Sequence, residues 1–175
     1  TTGAALNARN PSTAPLSFTR EVKINEPDPN NLEFTGIRVI KYPFDYGTSG
    51  DQKNNDYVMF RLADVLLMKA EAILRGGTGT AAGSYGSTAL ALVNSIRAKR
   101  GVADLAAVDL TALLDERGRE MYWECWRRQD LIRFGKFLQA WQEKAADAGT
   151  KNLLFPIPSS QLAVNPNLTH NPGYN

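Results

Sequence analysis

The apolar positions of the chain change character near residue 58, after which they recur at helical spacing. The clearest stretch runs from Tyr57 to Arg75. Leu62, Val65, Leu66, Ala70 and Ile73 make one stripe, and Ala63, Leu67, Ala70 and Leu74 make an adjacent one. So wide an apolar face predicts a helix packed on more than one neighbour. Arg61, Asp64, Glu71 and Arg75 form its polar face, with Arg61–Asp64 and Glu71–Arg75 at ion-pair spacing, and Gly76-Gly77 ends it. A second helix is expected from the N-cap Ser87 to Arg100, with Ala89, Leu92, Val93 and Ile96 as its stripe and Gly101 just beyond. A third begins at the N-cap Asp109 and runs to about Trp126, with Leu110, Leu113, Leu114, Arg117 and Met121 on one face. Gly118 in its middle costs about 1 kcal/mol relative to alanine, which points to close approach by a neighbouring element. A fourth stretch covers Gln129 to Ala146, with Gly135 as a break point and Leu131, Phe134, Leu138 and Trp141 on its stripe.

The two flanks read differently. Pro11, Pro15, Pro27, Pro29 and Pro43 interrupt any helix before residue 57, and Asp28-Pro29-Asn30-Asn31 reads as a turn. One strand is expected there, Phe34 to Tyr42. At the other end, Leu153 to Pro158 must be extended, because each proline disfavours helix in the residue before it. Such a tail is expected to wrap the domain and dock Phe155, Ile157 and Leu162 on the helices. The predicted architecture is mostly α, with an irregular lead-in over 1–57 and a helical domain over 58–175. The first two helices should form an antiparallel hairpin of the tetratricopeptide kind, although no exact period recurs.

Composition narrows the chemistry. The 175 residues are 43% hydrophobic and 22% charged with a net charge of +2, so no strong field steers nucleic acid or an anionic membrane. Arg97, Lys99 and Arg100 read as a solvated helix end that complements the dipole. One cysteine, Cys125, excludes an internal disulfide, and with His170 as the one histidine neither a metal site nor a cofactor is expected. Cys125 lies within a helical pattern and reads as a small core residue, while His170 reads as a surface residue in the tail. With one histidine in a terminal tail no Ser-His-Asp arrangement is expected, and a Cys125–His170 dyad is possible in principle with nothing further to support it. The glycine-rich loop Gly76–Gly86 lacks the Lys-Ser/Thr of a phosphate loop and reads as a connector.

The densest charge pattern lies in the third helix. Glu116, Glu120 and Glu124 recur every four residues and so share a stripe. A pair of carboxylates is what glycoside hydrolysis uses. Here, however, Arg117, Arg119, Arg127 and Arg128 are interleaved, and Arg117–Glu120, Glu124–Arg127 and Glu124–Arg128 are at pairing distance. Arginine partners favour the ionised carboxylate, the wrong direction for a general acid. Glu116, Arg117, Glu120, Glu124, Arg127 and Arg128 therefore read as a structural ion network tying the third helix to the fourth. Flat aromatic rings can stack on a ligand, and the candidates are Tyr42, Phe44, Tyr46, Trp126 and Trp141. Trp141 shares a core stripe and Trp123 reads as core, whereas Tyr46 in its polar loop is the least constrained by packing and could line a ligand groove.

Three blocks carry a family likeness. They are Phe60-Arg61-Leu62-Ala63-Asp64-Val65-Leu66-Leu67-Met68-Lys69-Ala70-Glu71-Ala72, then Asp115-Glu116-Arg117-Gly118-Arg119-Glu120-Met121-Tyr122-Trp123-Glu124 continuing through Arg127-Arg128-Gln129-Asp130-Leu131-Ile132-Arg133-Phe134-Gly135, and finally Leu154-Phe155-Pro156-Ile157-Pro158 with Asn171-Pro172-Gly173-Tyr174. In order and spacing they resemble the signatures of the SusD/RagB family. Cys125-Trp126 stands where many members have Gly-His, and Gln129 where Thr or Phe is common; both read as packing variation.

The resemblance implies a mostly helical fold with tetratricopeptide-like pairs, in a lipoprotein on the outer surface of the outer membrane. It implies a SusC-like TonB-dependent transporter as partner and an oligosaccharide or peptide as ligand, bound and not cleaved. Members are far longer, so the chain is expected to be a soluble C-terminal part, with membrane contact only through a lipid anchor in a missing N-terminal part. Ligand contacts in the family come mostly from loops and upstream segments, so no ligand residue is carried over. A helical-repeat interaction module without a small ligand is the alternative reading. A glycosidase using Glu120 or Glu124 is a third.

Overall fold

A computed structural model describes residues 15–22, 25–42, 47 and 55–174. The chain divides into two compact units, residues 1–57 and 58–175. Among its described residues the second holds five α-helices: α1 (Leu62–Leu74), α2 (Ala89–Lys99), α3 (Leu110–Glu120), α4 (Arg127–Arg133) and α5 (Ser159–Val164). The fold is mostly helical, and no strand forms among the described residues.

Local chemistry sets the helix ends. Thr88, not Ser87, caps α2 by accepting from the Ala91 amide at 3.2 Å, and Asp109 caps α3 through the Ala112 amide at 2.7 Å. Three helices close the same way. After α1 the Gly77 amide returns to the Ala72 carbonyl, after α2 Val102 returns to Arg97, and after α4 Lys136 returns to Leu131. Each closure turns on a left-handed glycine, Gly76, Gly101 or Gly135, as this motif requires.

Burial joins the first three helices. Leu66, Leu67 and Ala70 of α1 pack with Ala89, Leu92, Val93 and Ile96 of α2 and with Leu113 and Met121 of α3 and its cap. The start of α1 and the end of α2 line one cleft, so these two helices run antiparallel. Asn94 pins the following loop, donating to the Leu105 carbonyl at 3.0 Å and accepting from the Leu105 amide at 2.9 Å. Gly118 accommodates its neighbour as its position suggests: a Cβ there would lie 2.8 Å from Nη1 of Arg127, which reaches across to the Leu114 carbonyl.

Several expected boundaries move. The α1 helix starts at Leu62, not Tyr57. The α3 helix stops at Glu120, where expectation carried it to Trp126. Residues 121–125 instead form turns, with Trp123 at φ 63° and Cys125 at φ 62°, because Glu124 is drawn inward to Arg61. The fourth stretch ends at Arg133, since Gly135 adopts φ 67°, and a short turn with a Trp141–Lys144 bridge follows. In the lead-in, the expected strand is a 3-10 turn over Asn31–Phe34 followed by irregular chain. Its backbone pairs with the segment before it, Thr19 donating to the Phe34 carbonyl at 2.9 Å and Gly36 to the Glu21 carbonyl at 2.9 Å. The tail is extended at 154–158 but then forms α5, a helix the prolines on either side concealed. It is held largely to itself: Asn171 donates to the Phe155 carbonyl at 2.8 Å and the Tyr174 hydroxyl to the Leu154 carbonyl at 3.0 Å. Ile157 and Leu162 are half-buried, but Phe155 is exposed and stacks on the Arg128 guanidinium at 4.1 Å.

Candidate functional site

Charge runs through the interior of the helical unit. Arg117 is 1% exposed, with Nη1 at 2.9 Å from Asp64 of α1 and Nε at 3.0 Å from Asp130 of α4. Asp130 also meets Arg133 at 2.9 Å, and Arg133 grips Glu71 with both nitrogens at 2.7 and 2.9 Å. Arg75 adds a contact to Glu71 at 2.9 Å, the one pair within α1 that the spacing anticipates and the geometry contains. The face carrying Asp64 and Glu71 is thus an interior face, because arginines of α3 and α4 come to meet it.

A second cluster sits at the end of α3. Arg100 forks onto Glu120 at 2.6 and 2.9 Å, while Arg61 meets Glu120 and, at 2.7 Å, Glu124. Arg97 bonds Glu116 at 2.7 Å, as does Arg119. The basic end of α2 is therefore engaged with α3 and not simply solvated. Arg127 and Arg128 donate to backbone carbonyls, of Leu114 at 2.8 Å and of Asn152 at 2.8 Å.

These contacts fix protonation. Burial alone would raise the pKa of Glu120, but Arg100 and Arg61 outweigh it and hold the carboxyl below the usual carboxylate range. Burial likewise opposes the lowering at Glu71, where Arg133 and Arg75 prevail. A general acid for glycoside cleavage needs a raised pKa. The arrangement is suited to hold helices in place and not to deliver a proton.

Two clefts open on the surface around α3 and α4. The first, about 470 Å³, lies over the 121–125 turn and is rimmed by Tyr122, Trp123 and Cys125. Its floor groups Arg117 and Asp130 are already bonded to each other. The second, about 570 Å³, lies between the start of α3, α4 and the segment ending in Trp141. Leu114 and Leu131 supply apolar wall there, and Thr111, Asp115, Lys136 and Gln139 supply polar side chains. Trp141 is carried by a tight turn in which its amide and carbonyl bond those of Lys144 at 3.1 and 2.9 Å. Lys144 sits 4.5 Å from the indole centroid and bonds Asp147 at 2.6 Å, while Asn152 bonds the other Asp147 oxygen at 2.7 Å. The hydrogen bonds from Lys144 and Asn152 hold the Asp147 carboxyl below its ordinary pKa.

The aromatic assignments change accordingly. Trp141 and Trp123, expected in the core, are exposed, at 46% and 64%. Cys125, also expected there, is exposed as well. Each lies in a turn that replaces expected helix, so the helical stripe that would have buried it does not exist. Trp126 is half-buried, 6.1 Å from the Phe60 ring, and Tyr42 stacks on Tyr57 at 5.3 Å. Tyr46 and Phe44 lie outside the described residues. His170 is exposed in the tail. Among the described residues no cluster of histidine, cysteine and carboxylate groups could hold a metal ion, and no helix is long and apolar enough to cross a membrane.

Comparison with known proteins places this architecture. The SusD family profile matches residues 24–174. The starch-binding protein SusD of Bacteroides thetaiotaomicron is 32% identical over 156 residues, covering 79% of this chain and 26% of that protein. SusD-like protein P25 of Formosa agariphila is 32% identical over 130 residues, covering 65% of this chain and 23% of its own length. A solved laminarin-binding SusD-like protein shares 37% identity with a TM-score of 0.53, over 66% of this chain and 22% of its own. The chain thus spans about a quarter of the length of these relatives. Signature helices, their order and the superposed fold agree: this chain belongs to the SusD/RagB family.

Proposed function

We propose that the chain is part of a cell-surface glycan-binding lipoprotein that works with a SusC-like TonB-dependent transporter in nutrient uptake. The observation that carries this reading is the family match, together with relatives whose names attach them to starch and to laminarin. An oligosaccharide is accordingly favoured over a peptide as ligand. The protein binds without cleaving: Glu120, the carboxylate best placed by spacing for acid chemistry, is held ionised by two arginines. Glu116, Arg117, Glu120 and Glu124, with Arg127 and Arg128 bracing the α4 side, serve as a scaffold that keeps the helices rigid for docking on the transporter.

Deleting the gene and testing growth on single polysaccharides checks the reading. Growth on one glucan should fail, and a barrel transporter should co-purify with the tagged protein from outer membranes. Normal growth on every glycan with no barrel recovered would overturn it. That outcome would favour an interaction module without a small ligand. The specific support for this second reading is the outward stripe of Leu62, Val65 and Met68 on α1, apolar side chains left exposed at helical spacing.

A further inference from the structure

We infer that the cleft beside Trp141 is a sugar-binding subsite, taking one or more pyranose units of a neutral oligosaccharide. The inference rests on the glycan-binding reading above and adds a place for the ligand within this chain.

Three observations converge. First, Trp141 leaves 46% of its surface open although it is fixed from below. The Trp141–Lys144 bridge sets its backbone, and the cation of Lys144, itself anchored on Asp147, lies against the ring. The Phe137 ring stands at 63° to it, the two centroids 6.4 Å apart. An exposed indole held this firmly is a preorganised flat surface, which loses little entropy on binding. Second, the cleft is lined by polar groups with unspent capacity. The side chains of Thr111, Asp115, Lys136 and Gln139 make no hydrogen bond or ion pair in the structure. Together they offer donors and acceptors in a mixed array. Third, the cleft of about 570 Å³ falls within the range of about 300–1,000 Å³ usual for small-molecule sites.

The chemistry of the array selects the ligand. A pyranose has an apolar C–H face that lies flat on an aromatic ring, and a rim of hydroxyls that both donate and accept. Asp115 can only accept and Lys136 can only donate, while Thr111 and Gln139 do both, which suits a rim of hydroxyls. Arg127, the other charged group of the lining, is engaged with the Leu114 carbonyl at 2.8 Å, so an anionic ligand would meet the Asp115 carboxylate and a cationic one the ammonium of Lys136. The cleft over Trp123 lacks this combination, because its polar floor is already internally bonded.

The test is calorimetric titration of the 175-residue chain with maltoheptaose and with laminarihexaose, at millimolar sugar. At least one should bind. Trp141→Ala should weaken that binding roughly tenfold or more, since aromatic anchors dominate such contacts. Gln139→Ala should weaken it by a smaller factor, and Trp123→Ala should leave it unchanged. Circular dichroism establishes that each variant is folded; if Trp141→Ala is not, Trp141→Phe and Gln139→Ala carry the test. No binding of either sugar by the intact chain, or equal binding by the Trp141 and Gln139 variants, overturns the subsite. The growth phenotype and transporter co-purification would be untouched by that result, so the two readings fail separately.

Discussion

Replacing Arg117 with methionine removes the centre of the buried charge system while keeping an unbranched side chain that fills much of the arginine stem's space. Two carboxylates, Asp64 and Asp130, each 1% exposed at the side chain, then remain inside without the cation that compensated them. Stripping one partner from a buried ion pair costs about 3–5 kcal/mol, most of it the penalty of the charge left behind. Asp130 keeps Arg133, at 2.9 Å, so Asp64 bears the greater share. Urea unfolding followed by far-UV circular dichroism measures the loss, and at about 4 °C per kcal/mol the melting point should fall by roughly 12–20 °C. The triple variant Arg117→Met, Asp64→Asn, Asp130→Asn removes the stranded charges and should recover at least about half of the loss, by the same argument. A single variant that loses less than about 1 kcal/mol would refute the reasoning, for it would mean that Arg117 contributes no more than an exposed salt bridge.

Acid should weaken the fold through Glu71 and Glu120. Both have folded pKa values below the unfolded value, so between the two values the unfolded state binds more protons and stability rises with pH. Their contribution is complete above the ordinary carboxylate range and is lost as pH falls below about 4.3, through their lowered folded values. Denaturation midpoints measured from neutral pH downward should hold and then drop in that window; a midpoint that rises on acidification contradicts the pairing. Cys125→Gly should stabilise the chain by about 0.5–1 kcal/mol, since left-handed backbone costs an ordinary residue about 1–2 kcal/mol and glycine returns part of this in chain entropy. The exposed thiol contributes no packing to lose. A lowered urea midpoint for this variant would show that the turn does not strain Cys125.

Helix cores were legible from periodicity because burial there is one-dimensional. Leu66, Leu67, Ala70, Leu92, Val93 and Ile96 lie where the stripes put them, and Gly76, Gly101 and Gly135 end helices for a local backbone reason. What escaped was set by contacts distant in sequence. No proline or left-handed glycine immediately follows Glu120; α3 stops where Glu124 turns toward Arg61, 63 residues away. The residues that follow, Trp123 and Cys125, therefore leave the core pattern that their neighbours predict. From the sequence the Cys125 position looks like packing variation, but φ 62° makes it a backbone position. Charge pairing shows the same limit. Spacing of three and four found Glu71–Arg75, yet Arg117–Asp64, Arg100–Glu120 and Arg133–Glu71 join separate helices, and no local rule reports them. The Trp141 cleft was hidden because its stripe continued past Gly135, where the helix does not.

The line Asp64–Arg117–Asp130 also settles how the helices are indexed against one another. Apolar stripes are forgiving: Leu, Val and Ala surfaces slide with little loss, and α1 carries two adjacent stripes that could each face the core. A slip of one residue along α1 moves a side chain about 1.5 Å and turns it about 100°. A leucine so displaced finds other methyl groups, whereas Asp64 would leave the guanidinium and stand uncompensated. The charges act as a dowel through three helices, admitting one alignment of parts that greasy surfaces alone would leave free to creep.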